Sequence, residues 1–158
     1  MNITIWTDGS YNRHNNKCAC AYVIKSDTGF YHEQSFKILE GKLSTNIAEM
    51  QGIIQALKFL HLCVDNKDMI ESITVTSDSQ YCIKGITEWV HKWRTECFQG
   101  RKNVAEWKDF YQLTYKSGFK NIQFKWVKGH TGVEENERCD LLCGVITSTK
   151  ADKLRERL

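Results

Sequence analysis

Strand-like alternation comes first along this chain, and a helical period follows it. Ile3, Ile5 and Trp6 begin a strand that ends at Thr7-Asp8-Gly9-Ser10. Cys18 to Lys25 and Phe30 to Ile38 read as two further strands, joined by Ser26-Asp27-Thr28-Gly29. Such a turn favours an antiparallel hairpin, which the first strand joins in one meander. Ile53, Leu57, Leu60 and Val64 then recur at helical spacing and predict a helix over about 45–62. Glu71 to Ser77, with Ile73 and Val75, is a short strand. Ser79 to Trp93 reads as helical with a break expected at Gly85, and Val104 to Tyr115 as another helix. Asn121 to Val127 alternates Ile122, Phe124 and Trp126 as a strand does. Glu134 to Thr149 closes the chain as a helix with Cys139, Leu142, Cys143 and Ile146 on its apolar stripe. The order βββαβααβα implies an α/β fold: a mixed sheet with an antiparallel start and parallel additions, covered by helices.

Composition narrows the class. At 158 residues, 41% hydrophobic and 26% charged, the sequence suits one globular domain and argues against a disordered or fibrous chain. The expected domain is 1–149, followed by a charged tail, 150–158, that would fray. No apolar run approaches the ~20 residues of a membrane span. The first residues lack the basic and apolar segments of a signal peptide, so a cytoplasmic chain is expected. Seven cysteines, scattered and without a Cys-x-x-Cys pair, read as reduced, small apolar residues. With no proline anywhere, turns must rest on Gly, Asn, Asp and Ser.

The net charge of +3 is weak evidence for nucleic acid. Its distribution says more. Residues 84–108 hold six lysines and arginines against three glutamates, and so carry the net charge of the whole chain. Trp89, Trp93, Phe98 and Trp107 are interleaved with them. That pattern suits a nucleic-acid backbone, although alone it also fits a solvated amphipathic helix.

Four acidic residues fall at expected element edges: Asp8 at the end of the first strand, Glu49 near the start of the first helix, Asp78 after the fourth strand, and Asp140 on the last helix. Each has an ordinary explanation. Asp8 starts a turn, Glu49 completes a capping box with Asn46, Asp78 caps the next helix, and Asp140 faces water beside Arg138. Together they carry a sharper one. If the first and fourth strands are neighbours, Asp8 and Asp78 lie side by side, and clustered carboxylates repel unless cations neutralise them. Oxygen-only ligation selects hard ions, Mg²⁺ or Mn²⁺. Two such ions, about 3.5–4 Å apart, activate a water and stabilise a leaving oxygen in phosphodiester cleavage. His130, on a Gly-flanked turn, is either a proton carrier or a polar turn residue.

These residues resemble a known family, type 1 (bacterial-type) ribonuclease H of the ribonuclease H-like superfamily. The resemblance covers about Ile3 to Cys143. Thr7-Asp8-Gly9-Ser10, Glu49 on its helix, Ser77-Asp78-Ser79-Gln80-Tyr81, the run Gly85 to Trp93, and Trp126-Val127-Lys128-Gly129-His130-Thr131-Gly132 with Glu135 to Asp140 stand in the family's order. The resemblance implies a five-stranded sheet in order 3-2-1-4-5 with strand 2 antiparallel. It also implies hydrolysis of the RNA strand of RNA–DNA hybrids, leaving 3′-hydroxyl and 5′-phosphate ends. Asp8, Glu49, Asp78 and Asp140 would be the metal carboxylates, and His130 would assist proton transfer. Gly9, Ser10, Asn46 and Gln80 would touch the hybrid's minor groove, where 2′-hydroxyls distinguish RNA from DNA. Trp89 and Trp93 would line a channel for the DNA strand. Ser44, Asn103 and Lys42 would form a DNA-phosphate pocket. Lys92 to Lys108, including Arg94, Arg101 and Lys102, would be a shortened basic protrusion that supplies most of the grip. A monomer is the simplest assumption.

Two departures stand out. The loop Tyr11 to Cys18 keeps the family's length without its glycines and prolines, so an asparagine contact to substrate is lost or passes to Asn15 or Asn16. Ile47-Ala48 replaces an arginine and methionine common in bacterial relatives. Two other readings remain: a nuclease of the wider superfamily that acts on DNA, and a catalytically silent hybrid-binding module.

Overall fold

The computed structural model describes residues 1–129 and 132–148. His130, Thr131 and the tail from 149 onward, where the charged tail was expected, lie outside the described residues. Strands β1 (Asn2–Asn12), β2 (Lys17–Ser26) and β3 (Tyr31–Ile38) form the antiparallel meander. Helix α1 (Thr45–Cys63) and a 3₁₀ turn (Lys67–Met69) lead to β4 (Ser72–Ser77), which pairs parallel to β1. Helices α2 (Gln80–Lys84), α3 (Val90–Thr95) and α4 (Val104–Tyr115) precede β5 (Ile122–Trp126), parallel to β4, and α5 (Glu134–Thr147) follows. The sheet order is β3-β2-β1-β4-β5, as expected.

Side chains of opposite parity explain the layers. Ile3 and Ile5 of β1, with Tyr22 and Ile24 of β2, enter a large core with Met50, Ile53, Leu57, Val75, Trp107 and Phe110. On the other face Trp6, Ala19, Ala21 and Val23 meet Cys139 and Cys143 of α5 in a much smaller cluster. Complete burial of a side chain such as Leu57 is worth roughly 1.5–3 kcal/mol. All seven cysteines are free thiols, and five are buried, consistent with small apolar use.

Four local expectations change. β1 does not end at Asp8 but continues four residues further, because Asp8 to Asn12 pair with Ala21 to Lys17 across an unbroken antiparallel register. The loop expected over 11–18 is therefore a hairpin tip of four residues, 13–16, in which Asn16 takes the left-handed conformation (φ 53°) usual for glycine. Helix α1 is capped by Ser44, whose Oγ accepts from the Ile47 N–H at 3.1 Å, and not by an Asn46–Glu49 box. Ser79, not Asp78, caps α2, accepting from the Cys82 N–H.

The expected break at Gly85 is a π-turn, Gly85–Trp89, that joins α2 and α3 without ending the helical path. A β-carbon at Gly85 would collide with the Trp107 ring, so the residue is held to glycine by packing. Two hydroxyls serve carbonyls of this stretch: Thr87 Oγ1 donates to Ile83 O at 2.6 Å and Tyr115 Oη to Ile86 O at 2.7 Å.

Candidate active site

Asp8, Glu49 and Asp78 come together at one end of the β1–β4 pair. Each offers a carboxylate oxygen, and these three oxygens lie within 4.8 Å of one another. The approach depends on Gly9. A β-carbon there would strike the Ala48–Glu49 backbone, so only glycine lets the strand touch the helix at this point. Asp78 sits directly after β4, with Gly129 packed against its carboxylate and Trp126 Nε1 donating to its carbonyl at 3.0 Å.

Burial makes the cluster costly without a counter-charge. Asp8 is 9% exposed and Glu49 7%. Asp8 is pushed from 3.8 up to about 7, first by burial and then by the neighbouring charge of Asp78, against the lowering effect of the Gly9 N–H bonded to Oδ1 at 2.9 Å. Glu49 is held well above the usual carboxylate range, first by burial and then by Asp8 and Asp78. Glu49 Oε2 is buried with no hydrogen-bond partner among the described residues. A buried, unpartnered acceptor between two other carboxylates fits a hard cation, which would satisfy all three at once.

Asp140 stands apart from that trio. It lines a small cleft with Thr7, Asp8, Asp78, Gly129, Val133, Asn136 and Glu137. Its charge raises the Asp8 carboxyl less than that of Asp78 does. Asn136 and Glu137 were not singled out from sequence. The signal was available: Asn136 and Asp140 are four residues apart on α5 and therefore share a helix face. Asn136 Oδ1 is buried beside the carboxylates without a partner among the described residues. His130 lies outside the described residues.

Gly9 and Ser10 continue along β1 from Asp8, and Ser10 Oγ lies 3.1 Å from Thr147 Oγ1. Gln80 opens α2 two residues after Asp78, and Asn46 lies in the first turn of α1. Asn15 and Asn16, the suggested replacements for a lost contact, are engaged internally. Asn15 Nδ2 donates to Thr147 O at 3.1 Å, and Asn16 Oδ1 accepts from Tyr11 Oη at 2.8 Å. Asn12 Nδ2 donates to the same Thr147 carbonyl at 2.8 Å.

Two further groups of predicted residues assemble. Lys42, Ser44, Asn46, Lys102 and Asn103 line one cleft of about 520 Å³. Trp89 and Trp93 pair at 5.7 Å between ring centroids, with Trp89 exposed. The Arg101 guanidinium stacks on Trp93 at 5.1 Å and meets Glu96, as Lys92 does, while Arg94 lies over Tyr111. Arg101 and Lys92 are thus partly neutralised within the protrusion, and Lys102 faces the cleft.

Comparison with known proteins gives a consistent picture. The sequence matches the family model for RNase H over residues 1–146. It is 37% identical over 148 residues to a ribonuclease H of Shewanella denitrificans, covering 89% of this chain and 83% of that protein. It is 33% identical over 140 residues to a ribonuclease H of Campylobacter jejuni, covering 89% and 87%. Among solved structures, the PFV RNase H domain is similar in fold (TM-score 0.68, 18% identity, 92% and 93% covered). So is ribonuclease H1 of Halobacterium salinarum (TM-score 0.62, 22% identity, 92% and 97% covered).

Proposed function

The chain belongs to the ribonuclease H family, and on that premise we propose that it hydrolyses the RNA strand of RNA–DNA hybrids, leaving 3′-hydroxyl and 5′-phosphate ends. The observation that carries this reading is the trio of buried Asp8 and Glu49 with half-buried Asp78, its oxygens within 4.8 Å and Glu49 Oε2 unpartnered among the described residues. Asp8, Glu49 and Asp78 would hold divalent metal, with Asp140 completing the set from α5. Bound there, two ions of Mg²⁺, or Mn²⁺ in its place, supply the charge that acidifies a water and neutralises a leaving oxygen.

The chain's own residues do the rest. Gly9, Ser10, Asn46 and Gln80 meet the minor groove and select a strand that carries 2′-hydroxyls. Trp89 and Trp93 stack against the DNA strand. Lys42, Ser44, Lys102 and Asn103 hold a DNA phosphate. The Ser44 oxygen already accepts from Ile47 N–H, so its proton is the part it can offer to a phosphate acceptor. Lys92, Arg94 and Arg101 add backbone attraction, and His130 carries a proton to or from the reacting water. The protein works as a cytoplasmic monomer, with 1–149 as the catalytic unit and 150–158 as a charged tail.

The test uses four labelled substrates: RNA–DNA hybrid, duplex DNA, duplex RNA and single-stranded RNA. Each is incubated with Mg²⁺, with EDTA, and with the Asp8→Asn protein. Cleavage of the hybrid's RNA strand alone, lost in both controls, is the expected result. Cleavage of duplex DNA would instead make the protein a DNA nuclease of the same superfamily. Hybrid binding without any product would make it a silent module.

A further inference from the structure

We propose that Tyr81 is a positioning residue for hybrid binding: its hydroxyl holds the Asn103 side chain away from the start of α4 and keeps the phosphate-facing cleft open. The proposal rests on the reading of that cleft given above. The Tyr81 hydroxyl oxygen accepts from Asn103 Nδ2 at 3.1 Å and from Trp107 Nε1 at 3.0 Å. Trp107 is fully buried, and its indole N–H can only donate, so it requires an acceptor and fixes the hydroxyl in place. Ring packing fixes the rest of the side chain. Tyr81 meets Trp107 edge-on at 5.2 Å and Trp89 at 6.2 Å.

Asn103 stands just before α4, where an asparagine side chain ordinarily turns back to accept from first-turn N–H groups. Here it makes no such cap, and its backbone is left-handed (φ 58°, ψ 39°). The two departures belong together. The side chain is committed to Tyr81, so it does not cover the helix start. Val104, Ala105 and Glu106 of that first turn line the cleft with Lys42, Lys102 and Asn103. Uncovered N–H groups at a helix start favour an anion, and a capping side chain would compete for them. One phenol therefore ties the cleft to the aromatic strip: its oxygen holds Asn103 and its ring packs on Trp89.

The experiment is a double-mutant cycle in the full chain: Tyr81→Phe, Asn103→Gly and both together. Glycine is chosen because it takes the left-handed conformation without strain. That variant removes the same hydrogen bond from the other side and leaves Trp107 its acceptor. Melting curves set an assay temperature below every transition, since Tyr81→Phe also removes the partner of Trp107 Nε1. Each single variant is expected to raise the KM for hybrid about 3- to 10-fold, the share of one hydrogen bond, with a smaller change in kcat. The salt dependence of binding should change little in each, because no cationic side chain is lost. The double variant should be no weaker than Asn103→Gly alone. Additive losses, or a wild-type KM for Tyr81→Phe beside an impaired Asn103→Gly, would overturn the role of the hydroxyl and leave the cleft reading standing. A wild-type KM for Asn103→Gly beside an impaired Tyr81→Phe would support the clearing role, since glycine leaves the helix start uncovered, and a wild-type KM for both would overturn the cleft reading and this proposal with it.

Discussion

The two faces of the sheet hold their helices by different means. On one, α1 and α4 bury long side chains, Ile53, Leu57, Trp107 and Phe110 among them. On the other, α5 lies against Ala19, Ala21 and Val23 through two cysteines. Small residues give little apolar area, and polar ties supplement it. Cys143 Sγ donates to Asp8 O, Arg138 forks onto Glu33 with two bonds of 2.8 Å, and Asn12 and Asn15 fasten the Thr147 carbonyl. Asp8 and Glu49 meet where β1 presses on α1, and Asp140 rides on the other, more lightly packed helix. Burial fixes the first two acids, and surface ties orient the last.

If that contrast is right, the acids are unequal. Asp8→Asn should lower hybrid cleavage at least about a thousand-fold, since it removes a member of the close trio. Asp140→Asn should cost only about 10- to 100-fold, the range of a group that supports rather than closes a metal site. Equal losses in single-turnover assays would break the comparison.

Stability should divide in the same way. Leu57→Ala should cost about 2–5 kcal/mol in guanidinium unfolding, as a cavity in a large core does. Cys143→Ala should cost about 1 kcal/mol.

The pH dependence gives a third contrast. The Asp8 carboxyl ionises near 3.8 in the unfolded chain and near 7 in the folded one. Its contribution to the metal-free protein is therefore complete below pH 3.8 and is lost as pH rises through 7. Melting temperatures in EDTA should fall across that window and then level off. Asp8→Asn should flatten the fall, and Asp140→Asn should change it much less. A steep fall retained in Asp8→Asn would assign it to other groups.

The smallest effect concerns the ties themselves. Replacing Asn12 and Asn15 together by alanine should cost about 1 kcal/mol, the value of the lost hydrogen bonds, and lower turnover only a few-fold. A loss as large as that of Asp140→Asn would show that the hairpin tip orients α5 more strongly than the cysteine cluster does.

Much of this was readable from residue spacing. The period of Ile53, Leu57 and Leu60 located α1, Val104 to Tyr115 matched α4, and the element order gave a mixed sheet, whose strand order came from the family resemblance. The trio of acids was legible because each sits at an element that the pattern itself placed. What escaped depended on partners distant in sequence. β1 runs past Asp8 because β2 offers backbone partners there, which alternation within residues 3–10 cannot reveal. Ser44 rather than Asn46 caps α1 because the entering backbone is extended at Ser44. Asn103 carried no visible sign that its side chain would bond Tyr81, 22 residues earlier.

The π-turn at Gly85–Trp89 has a consequence for how that stretch is read. An α-helix advances about 100° per residue, so Tyr81 and Trp89, eight positions apart, would stand roughly 80° out of phase. The wider turn absorbs one residue, which brings the offset to roughly −20° and sets the two rings on a common meridian. A periodicity search over 80–95 therefore finds a dephased pattern where the folded chain has a continuous aromatic stripe. Removing one of residues 85–88 would leave seven positions between Tyr81 and Trp89, and a regular α-helix would then keep the same offset, whereas straightening the turn at its present length would swing Trp89 and Trp93 about 100° off that stripe. In this part of the molecule, alignment of the aromatics depends on the number of residues between them as much as on their identity.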